Sequence, residues 1–184
     1  MVKALVGIGL LAASLSAFAQ QDQGHVFVSG GAAYSNINIP ENLDSIAADE
    51  EGMGVVFNVG YEFPNDIVAY AGLGNVGNFD WFTATDGYDL SFSEYGIGYV
   101  IKSNDFRLVP RLGYAKWETS VTEGAFANPG PEDELTENDY GMSLGLSMGR
   151  AFSEKMDGVL TYRKLHGDDA DQEILSVDVV YHFK

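Results

Sequence analysis

The feature that most constrains the fold of this chain is a two-residue alternation of side chains that recurs along most of its length. Over 140–148, large apolar residues at every second position are separated by glycines and serines, and the segments 55–63 and 175–183 show the same period. Successive side chains of a β-strand point to opposite faces, so this period predicts strands with one apolar face and one small or polar face. We therefore expect an all-β fold.

The connections between the predicted strands are alternately short and long. The links at 36–53, 77–87, 118–139 and 166–172 are long, whereas the three links between them are tight turns of three or four residues. This alternation places every long loop at one end of an eight-stranded, antiparallel, up-and-down β-barrel. Strands of ~9–11 residues cross a bilayer when tilted, and long loops at one end with short turns at the other are the plan of transmembrane barrels. The predicted strands are 24–35, 54–63, 67–76, 88–101, 106–117, 140–152, 156–165 and 173–183.

The composition of the strand faces favours a membrane barrel over a water-soluble one. A soluble barrel would turn its small and polar faces outward, yet the face that contains Gly141, Ser143 and Gly145 carries no charge for solubility. Aromatic residues also gather near the strand ends, as expected for two girdles at headgroup depth. The group near the short turns is Tyr61, Phe63, Tyr99, Phe106, Phe152, Tyr181 and Phe183, and the group near the long loops is Tyr34, Trp81, Phe82, Tyr88, Trp117 and Tyr140.

The first 19 residues have the features of a secretory signal peptide. A basic start at Lys3 precedes an apolar run over 4–15, and the small residues at both ends of 17–19 match the pattern read by signal peptidase. The apolar run is shorter than the ~20 residues that a transmembrane helix needs. We expect residues 1–19 to be removed on export and residues 20–184 to form the barrel domain.

The net charge of −17, from 27 acidic residues against 10 Lys and Arg, excludes several classes of function. Nucleic-acid binding is disfavoured because a phosphate backbone requires a basic surface. The absence of cysteine excludes disulfides and thiolate metal sites. Nineteen of the acids fall within 36–53, 77–89, 118–139 and 166–173, and these windows contain no Lys or Arg. The sequence therefore predicts a strongly anionic surface at the long-loop end.

An anionic surface of this kind favours divalent cations or a basic extracellular ligand as partners. Carboxylate oxygens are preferred ligands of hard cations, which also bridge lipopolysaccharide phosphates, while a basic protein would be attracted by the field alone. Solvated loops that only resist aggregation are the simplest interpretation, ahead of any one ligand. No acidic cluster has the spacing of an EF-hand, so neither a dedicated metal site nor a cofactor is predicted. The densest clusters are Glu132, Asp133 and Glu134, and Asp168, Asp169 and Asp171.

The strand phase also identifies charged side chains that point into the barrel. If Leu112 and Tyr162 face lipid, the adjoining residues Arg111 and Arg163 point inward. For the strand 67–76, the sequence does not show which face is inward. An eight-stranded barrel is just wide enough for side chains to fill, and buried charges require partners. We therefore expect an interior of paired charges, with a narrow conductance as the alternative. The predicted interior charges are Glu62, Glu94, Arg107, Arg111, Asp157, Arg163 and Asp178.

The mature chain resembles the OmpA/OmpX-like eight-stranded outer-membrane barrels of Gram-negative bacteria, through the segments 59–63, 98–99, 111–117 and 179–183. The resemblance implies a monomer in the outer membrane, in contact with lipid and lipopolysaccharide, with long acidic loops outside and short turns in the periplasm. It also implies that the last strand is read by the barrel-assembly machinery, although Lys184 follows the terminal aromatic residue. The residues of this signal are Val179, Tyr181 and Phe183.

Some barrels of this kind modify lipid A with a His, a Ser and an acid at the outer rim. His25 and His182 fall near the short-turn end, and His166 falls at the loop end beside acids but without a serine two residues away. We therefore predict a structural or surface-interaction role and no enzymatic activity. A small low-conductance channel is the alternative, and a lipid A-modifying enzyme is the third.

Overall fold

The computed structural model describes residues 24–37, 51–77, 87–122, 134–167 and 171–183. Within these ranges the regular structure is entirely β, and no described helix is long and apolar enough to cross a membrane. The strands are β1 (His25–Ile37), β2 (Glu51–Glu62), β3 (Ile67–Gly77), β4 (Gly87–Tyr99), β5 (Ile101–Ser103), β6 (Phe106–Thr122), β7 (Glu134–Ala151), β8 (Met156–His166) and β9 (Gln172–Phe183).

The strands close into an eight-stranded antiparallel barrel, as the alternation predicted. Both β4 and the three-residue β5 pair with β6, so β5 continues β4 beyond Val100. Every other strand pairs with its neighbours along the chain, and β1 pairs with β9 to close the ring. The seam of the barrel therefore joins the first and last strands of the chain.

The ends of the strands differ from the prediction at the long-loop side. Pairing between β6 and β7 continues to Thr122 and Glu134, although the predicted strands ended at 117 and began again at 140. The residues of this extension are largely polar on both faces, so the apolar alternation that marked the strands is lost there. Backbone pairing continues because it does not require a lipid-facing side.

The short turns are held by backbone hydrogen bonds and by two residues with positive φ. Phe63 N donates to Ile67 O over 2.8 Å, and Val100 N donates to Asp66 O over 2.8 Å. Asp66 and Asn104 have φ values of 63° and 51°, in the left-handed region that Asp and Asn adopt more readily than most residues. These turns lie at the end of the barrel opposite the long connections.

The outer face of the barrel is apolar. Among the described residues, 26 large hydrophobic side chains are exposed, including Phe57, Tyr95 and Val177. A soluble monomer rarely exposes a contiguous apolar surface of this extent, because the hydrophobic effect drives such surfaces together. The face is therefore suited to contact with lipid chains.

The interior of the loop-side half is filled by an apolar layer. Trp117, predicted to belong to the outer aromatic group, lies inside the barrel and is 2% exposed, so that prediction was wrong. Trp117 is an even number of residues from Arg107 and Arg111 on β6, so strand phase alone places its side chain inward. The outward assignment relied instead on the preference of tryptophan for membrane interfaces. Trp81 and Phe82 lie outside the described residues. The apolar layer consists of Ala33, Val56, Val76, Leu90, Phe92, Ala115, Trp117, Leu165 and Ile174.

The ambiguous phase of β3 is resolved by Tyr70, which is buried inside the barrel. Small residues on neighbouring strands leave room for the large interior side chains. A Cβ atom at Gly60 would collide with the ring of Phe27, and one at Gly74 would collide with the ring of Phe92. Packing therefore requires glycine at positions 60 and 74.

Candidate functional site

A layer of paired charges lies inside the barrel at the short-turn end. Arg107 donates to Glu62 through Nη2, and its Nη1 lies 3.2 Å from Asp157 Oδ2. Lys102 Nζ lies 2.9 Å from Glu62 Oε1 and 2.6 Å from Asp66 Oδ1. Glu62 therefore accepts hydrogen bonds from two cations, which offsets the cost of burying its charge.

Two histidines belong to the same layer, and the sequence analysis did not connect them with it. His182 Nε2 lies 2.9 Å from Asp157 Oδ2, and His182 Nδ1 lies 2.9 Å from His25 Nε2. His25 faces Glu62 directly across the β1–β2 pair, and His182 follows the inward phase of Asp178 on β9. Strand phase and register could have found both histidines; their separation of 157 positions concealed the pair.

A second charge layer lies nearer the middle of the barrel. Arg163 is 2% exposed, and its Nε lies 3.1 Å from Glu94 Oε1. Arg111 Nη2 lies 3.7 Å from the same oxygen, and Ser143 Oγ donates to Glu94 Oε2 over 2.7 Å. The guanidinium of Arg111 also lies 3.6 Å from the centroid of the Tyr70 ring, a cation–π contact.

A cavity of about 80 Å³ lies between the two charge layers. Its walls include Asn58, Arg107, Arg111, Asp157 and Asp178. Asn58 Oδ1 and Asp178 Oδ1 are buried without a hydrogen bond to any described residue, although Ser176 Oγ donates to the other oxygen of Asp178 over 2.9 Å. A water needs ~10–15 Å³ of such volume, so the cavity has room for several.

All seven charges predicted to point inward therefore lie inside the barrel, in two groups. Glu62, Arg107 and Asp157 lie in the layer at the short-turn end. Glu94, Arg111 and Arg163 form the middle layer, and Asp178 lines the cavity between the layers. The residues that the sequence analysis left out of these groups are Lys102, His25 and His182 at the short-turn end and Ser143, Ser176 and Tyr70 further in.

Only part of the predicted acidic clusters can be placed. Glu132, Asp133, Asp168 and Asp169 lie outside the described residues, and Glu134 begins β7. Asp171 accepts hydrogen bonds from His166 Nδ1 and from Lys164 Nζ, the latter over 2.8 Å. The bond from Lys164, followed by that from His166, lowers the pKa of Asp171 below its usual value.

Two lysines mark the loop-side edge of the apolar outer face. Lys116 is exposed, and its Nζ lies 5.4 Å from the centroid of the Tyr140 ring. Lys164 is half-buried and lies next to Asp171 and Glu173. Lysine and tyrosine at this level are the residue types that place a polar tip in the headgroup region while their stems stay in an apolar environment.

The residues predicted as an assembly signal lie on β9. Val179 and Phe183 are exposed on the outer face, and the ring centroids of Tyr181 and Phe183 are 4.9 Å apart in an edge-on arrangement. The last strand thus ends in an aromatic pair on the side away from the interior charges.

The sequence model of the outer membrane protein beta-barrel domain matches residues 5–183. The chain belongs to this family. It is thus an outer-membrane barrel, as the strand pattern, the apolar outer face and the resemblance indicated. A comparison with curated proteins found no match.

Solved structures with the same fold are distant in sequence. The attachment invasion locus protein Ail of Yersinia pestis is 16% identical, with a TM-score of 0.64 over 88% of this chain and 100% of Ail. Neisserial surface protein A is 14% identical, with a TM-score of 0.62 over 88% of this chain and 98% of that protein. A major outer membrane protein from Thermus thermophilus is 12% identical, with a TM-score of 0.57 over 88% of this chain and 100% of that protein.

Proposed function

We propose that this outer-membrane barrel is a surface protein that acts through the anionic long-loop end, while the barrel itself is a closed scaffold. The observation that carries the proposal is the segregation of charge: the four loop windows contain 19 of 27 acids and no Lys or Arg. A field of one sign at one end of a molecule attracts partners of the opposite sign and speeds their association. In this orientation the long loops face the outside and the short turns face the periplasm.

The packing of the interior argues against the channel alternative. Leu90, Val56, Val76 and Leu165 are fully buried in the loop-side half, and Trp117 fills the space between them. Although Ser35, Thr119, Asp139 and Gln172 are also buried in this half, the layer itself is built of apolar side chains. These side chains offer an ion no replacement for its hydration shell. The paired charges of the middle layer lie beneath it. We infer that the folded barrel does not conduct ions at a steady rate.

The ligand is expected to be cationic. The structural relative Ail has been solved in complex with the heparin analogue sucrose octasulfate, which is a polyanion. The loop windows of this chain are negatively charged, like that ligand, and would repel it. We propose a basic extracellular partner or divalent cations as the ligands, with Lys116 directed at lipopolysaccharide phosphates at the edge of the apolar face.

We assign no catalytic role to the loop end. His166 is the histidine that the described loop-side residues offer, and it is already bonded to Asp171, which Lys164 also engages. A general base held by a carboxylate needs a nucleophile within reach, and the described contacts of His166 include no serine. Lipid A should have the same mass spectrum with and without expression of the protein. A new modified species on expression would contradict this assignment.

The experiment that tests the proposed function compares polycation and polyanion binding. The refolded barrel is passed over surfaces that carry poly-lysine or heparin, at low and at high salt. We expect binding to poly-lysine that weakens as salt screens the charges, and no binding to heparin. Equal binding to both surfaces, or binding to heparin alone, would contradict the proposal.

A variant with neutral loop residues identifies which end of the barrel binds. Replacement of the cluster by Glu132→Gln, Asp133→Asn and Glu134→Gln should weaken binding to poly-lysine. The matched control removes three charges at the other end, by Asp66→Asn, Asp105→Asn and Glu154→Gln, and should leave binding unchanged. If the control weakens binding and the loop variant does not, the functional surface is at the short-turn end.

A further inference from the structure

Three metal-ligating side chains converge inside the barrel at the short-turn end. One imidazole nitrogen of His25, one of His182 and one carboxylate oxygen of Glu62 lie within 4.8 Å of one another. His25 Nε2 lies 2.9 Å from His182 Nδ1 and 3.5 Å from Glu62 Oε2. Ligands of one tetrahedral ion at ~2.0–2.2 Å lie roughly 3.3–3.6 Å apart, so small shifts of these side chains would bring the three atoms to such separations.

The register of three neighbouring strands builds this cluster. His25 begins β1 and lies directly opposite Glu62 at the end of β2. On the other side of β1, His182 of β9 lies opposite Phe27, which is the next inward-facing residue of β1 after His25. The side chains of Glu62 and His182 are 4% and 6% exposed, and that of His25 is 17% exposed. Glu62 and His182 are therefore held inside the barrel, and the more exposed His25 borders the opening through which an ion would enter.

Groups around the cluster orient the ligands. The hydrogen bond between His182 Nε2 and Asp157 Oδ2, at 2.9 Å, places the proton of His182 on Nε2 and leaves the Nδ1 lone pair directed at His25. A carboxylate behind a ligating histidine fixes the ring and raises its basicity. Arg107 bridges Asp157 and Glu62 and fixes the position of the Glu62 carboxylate.

The charge of the surroundings admits a divalent cation. The charged groups in contact with the cluster are the carboxylates of Glu62 and Asp157 and the cations Lys102 and Arg107, and Lys102 also pairs with Asp66. Three acids against two bases leave one negative charge next to neutral imidazoles. An incoming ion would replace the hydrogen bond between the two histidines, with the His25 proton moved to its Nδ1.

We propose that His25, His182 and Glu62 form a binding site for one transition-metal ion of the zinc class. Two imidazoles and a carboxylate are a typical zinc donor set, whereas calcium and magnesium prefer oxygen ligands alone. The fourth position faces the opening and the interior, where water can complete the coordination. Because His25 lies on β1 and His182 on β9, the ion ties the first strand to the last and closes the seam of the barrel.

Zinc titration of the refolded barrel tests the site. The titration is followed by competition with a chromophoric chelator in millimolar calcium, which occupies loop carboxylates but not imidazoles. We expect one tightly bound zinc per barrel. Absence of stoichiometric zinc binding to barrels that show folded migration on a gel would overturn the proposal.

The three histidines of the chain supply matched variants. His25→Asn and His182→Asn each remove one ligand and should weaken zinc binding by about tenfold or more. His166→Asn removes the histidine at the opposite end and should leave the affinity unchanged. If His182→Asn does not fold, His25→Asn at the opening carries the same test. Loss of binding in His166→Asn with retention in His25→Asn would also overturn the proposal.

A second measurement distinguishes ligands from their supports. Asp157→Asn keeps the three ligands and removes the carboxylate behind His182, so zinc affinity should fall by roughly 10–100-fold. Cobalt bound in place of zinc should retain the absorption of a tetrahedral site in Asp157→Asn and lose it in His25→Asn. Identical cobalt spectra in His25→Asn and the unaltered barrel would contradict the assignment of His25 as a ligand.

Discussion

At the scale of single residues, the interior is governed by the cost of buried charge. Glu94 is 3% exposed and lies next to Arg163 and Arg111, so its charge is compensated, and Asp178 supplies the second negative charge that faces the two arginines. Removal of one partner from such a group leaves a charge without compensation in a medium of low dielectric constant. The energetic effect of a substitution here is therefore larger than that of the same substitution on the surface.

Glu94→Gln tests this coupling. The change keeps the shape of the side chain and removes the charge that faces two guanidinium groups, so the free energy of unfolding should fall by about 3–5 kcal/mol. Urea unfolding of the refolded barrel measures the effect, with the exposed Glu118→Gln as control. The double variant Glu94→Gln, Arg163→Met should recover part of the loss. Equal stability of Glu94→Gln and Glu118→Gln would contradict the role of the pair.

Asp171 gives a prediction about pH at the loop end. Its pKa lies below the usual value because Lys164 and then His166 donate to the carboxylate. A lowered pKa in the folded state means that the local stabilisation is present above the ordinary pKa of 3.8 and is lost as the pH falls through the folded value. In Lys164→Met the pKa of Asp171 should rise towards its ordinary value in an NMR titration. An unchanged titration would show that Lys164 does not hold this carboxylate.

At the scale of the strands, phase proved more informative than residue type. The alternation identified the eight strands, and the phase of β6 places Arg107, Arg111 and Trp117 on one face. The preference of tryptophan for membrane interfaces pointed outward, and the structure follows the phase. Segments with the same residue class on both faces, such as 67–76 and the extension of β6 and β7, could not be assigned from the sequence, because no alternation distinguishes their faces.

Trp117→Ala measures the contribution of the apolar layer. Truncation of a buried tryptophan removes transfer free energy and leaves a cavity, so the free energy of unfolding should fall by about 3–5 kcal/mol. Tyr140, which is exposed at a neighbouring level of the barrel, provides the aromatic control as Tyr140→Ala and should cost much less. Urea unfolding in the same detergent compares the two variants. Similar losses would place Trp117 outside the barrel.

At the scale of the whole molecule, the chain separates its chemistry by position. The outer face is apolar, and the interior consists of an apolar layer above two charge layers. The 19 acids of the long-loop windows exceed the whole net charge of −17. Sequence alone predicted the barrel, the interior charges and the acidic windows, since each depends on period or composition. It did not predict the pairing of His25 with His182 or the cavity, because these depend on register between distant strands.

The central claim is that the anionic long loops face the outside of the cell and the short turns face the periplasm. Because the chain has no cysteine, single substitutions report accessibility without background. Ser45→Cys places a thiol in the first long-loop window and Ser153→Cys places one in the short turn between β7 and β8. A membrane-impermeant maleimide added to intact cells should label Ser45→Cys at once and Ser153→Cys only after permeabilisation of the outer membrane. The reverse pattern would contradict the orientation and with it the proposed surface role.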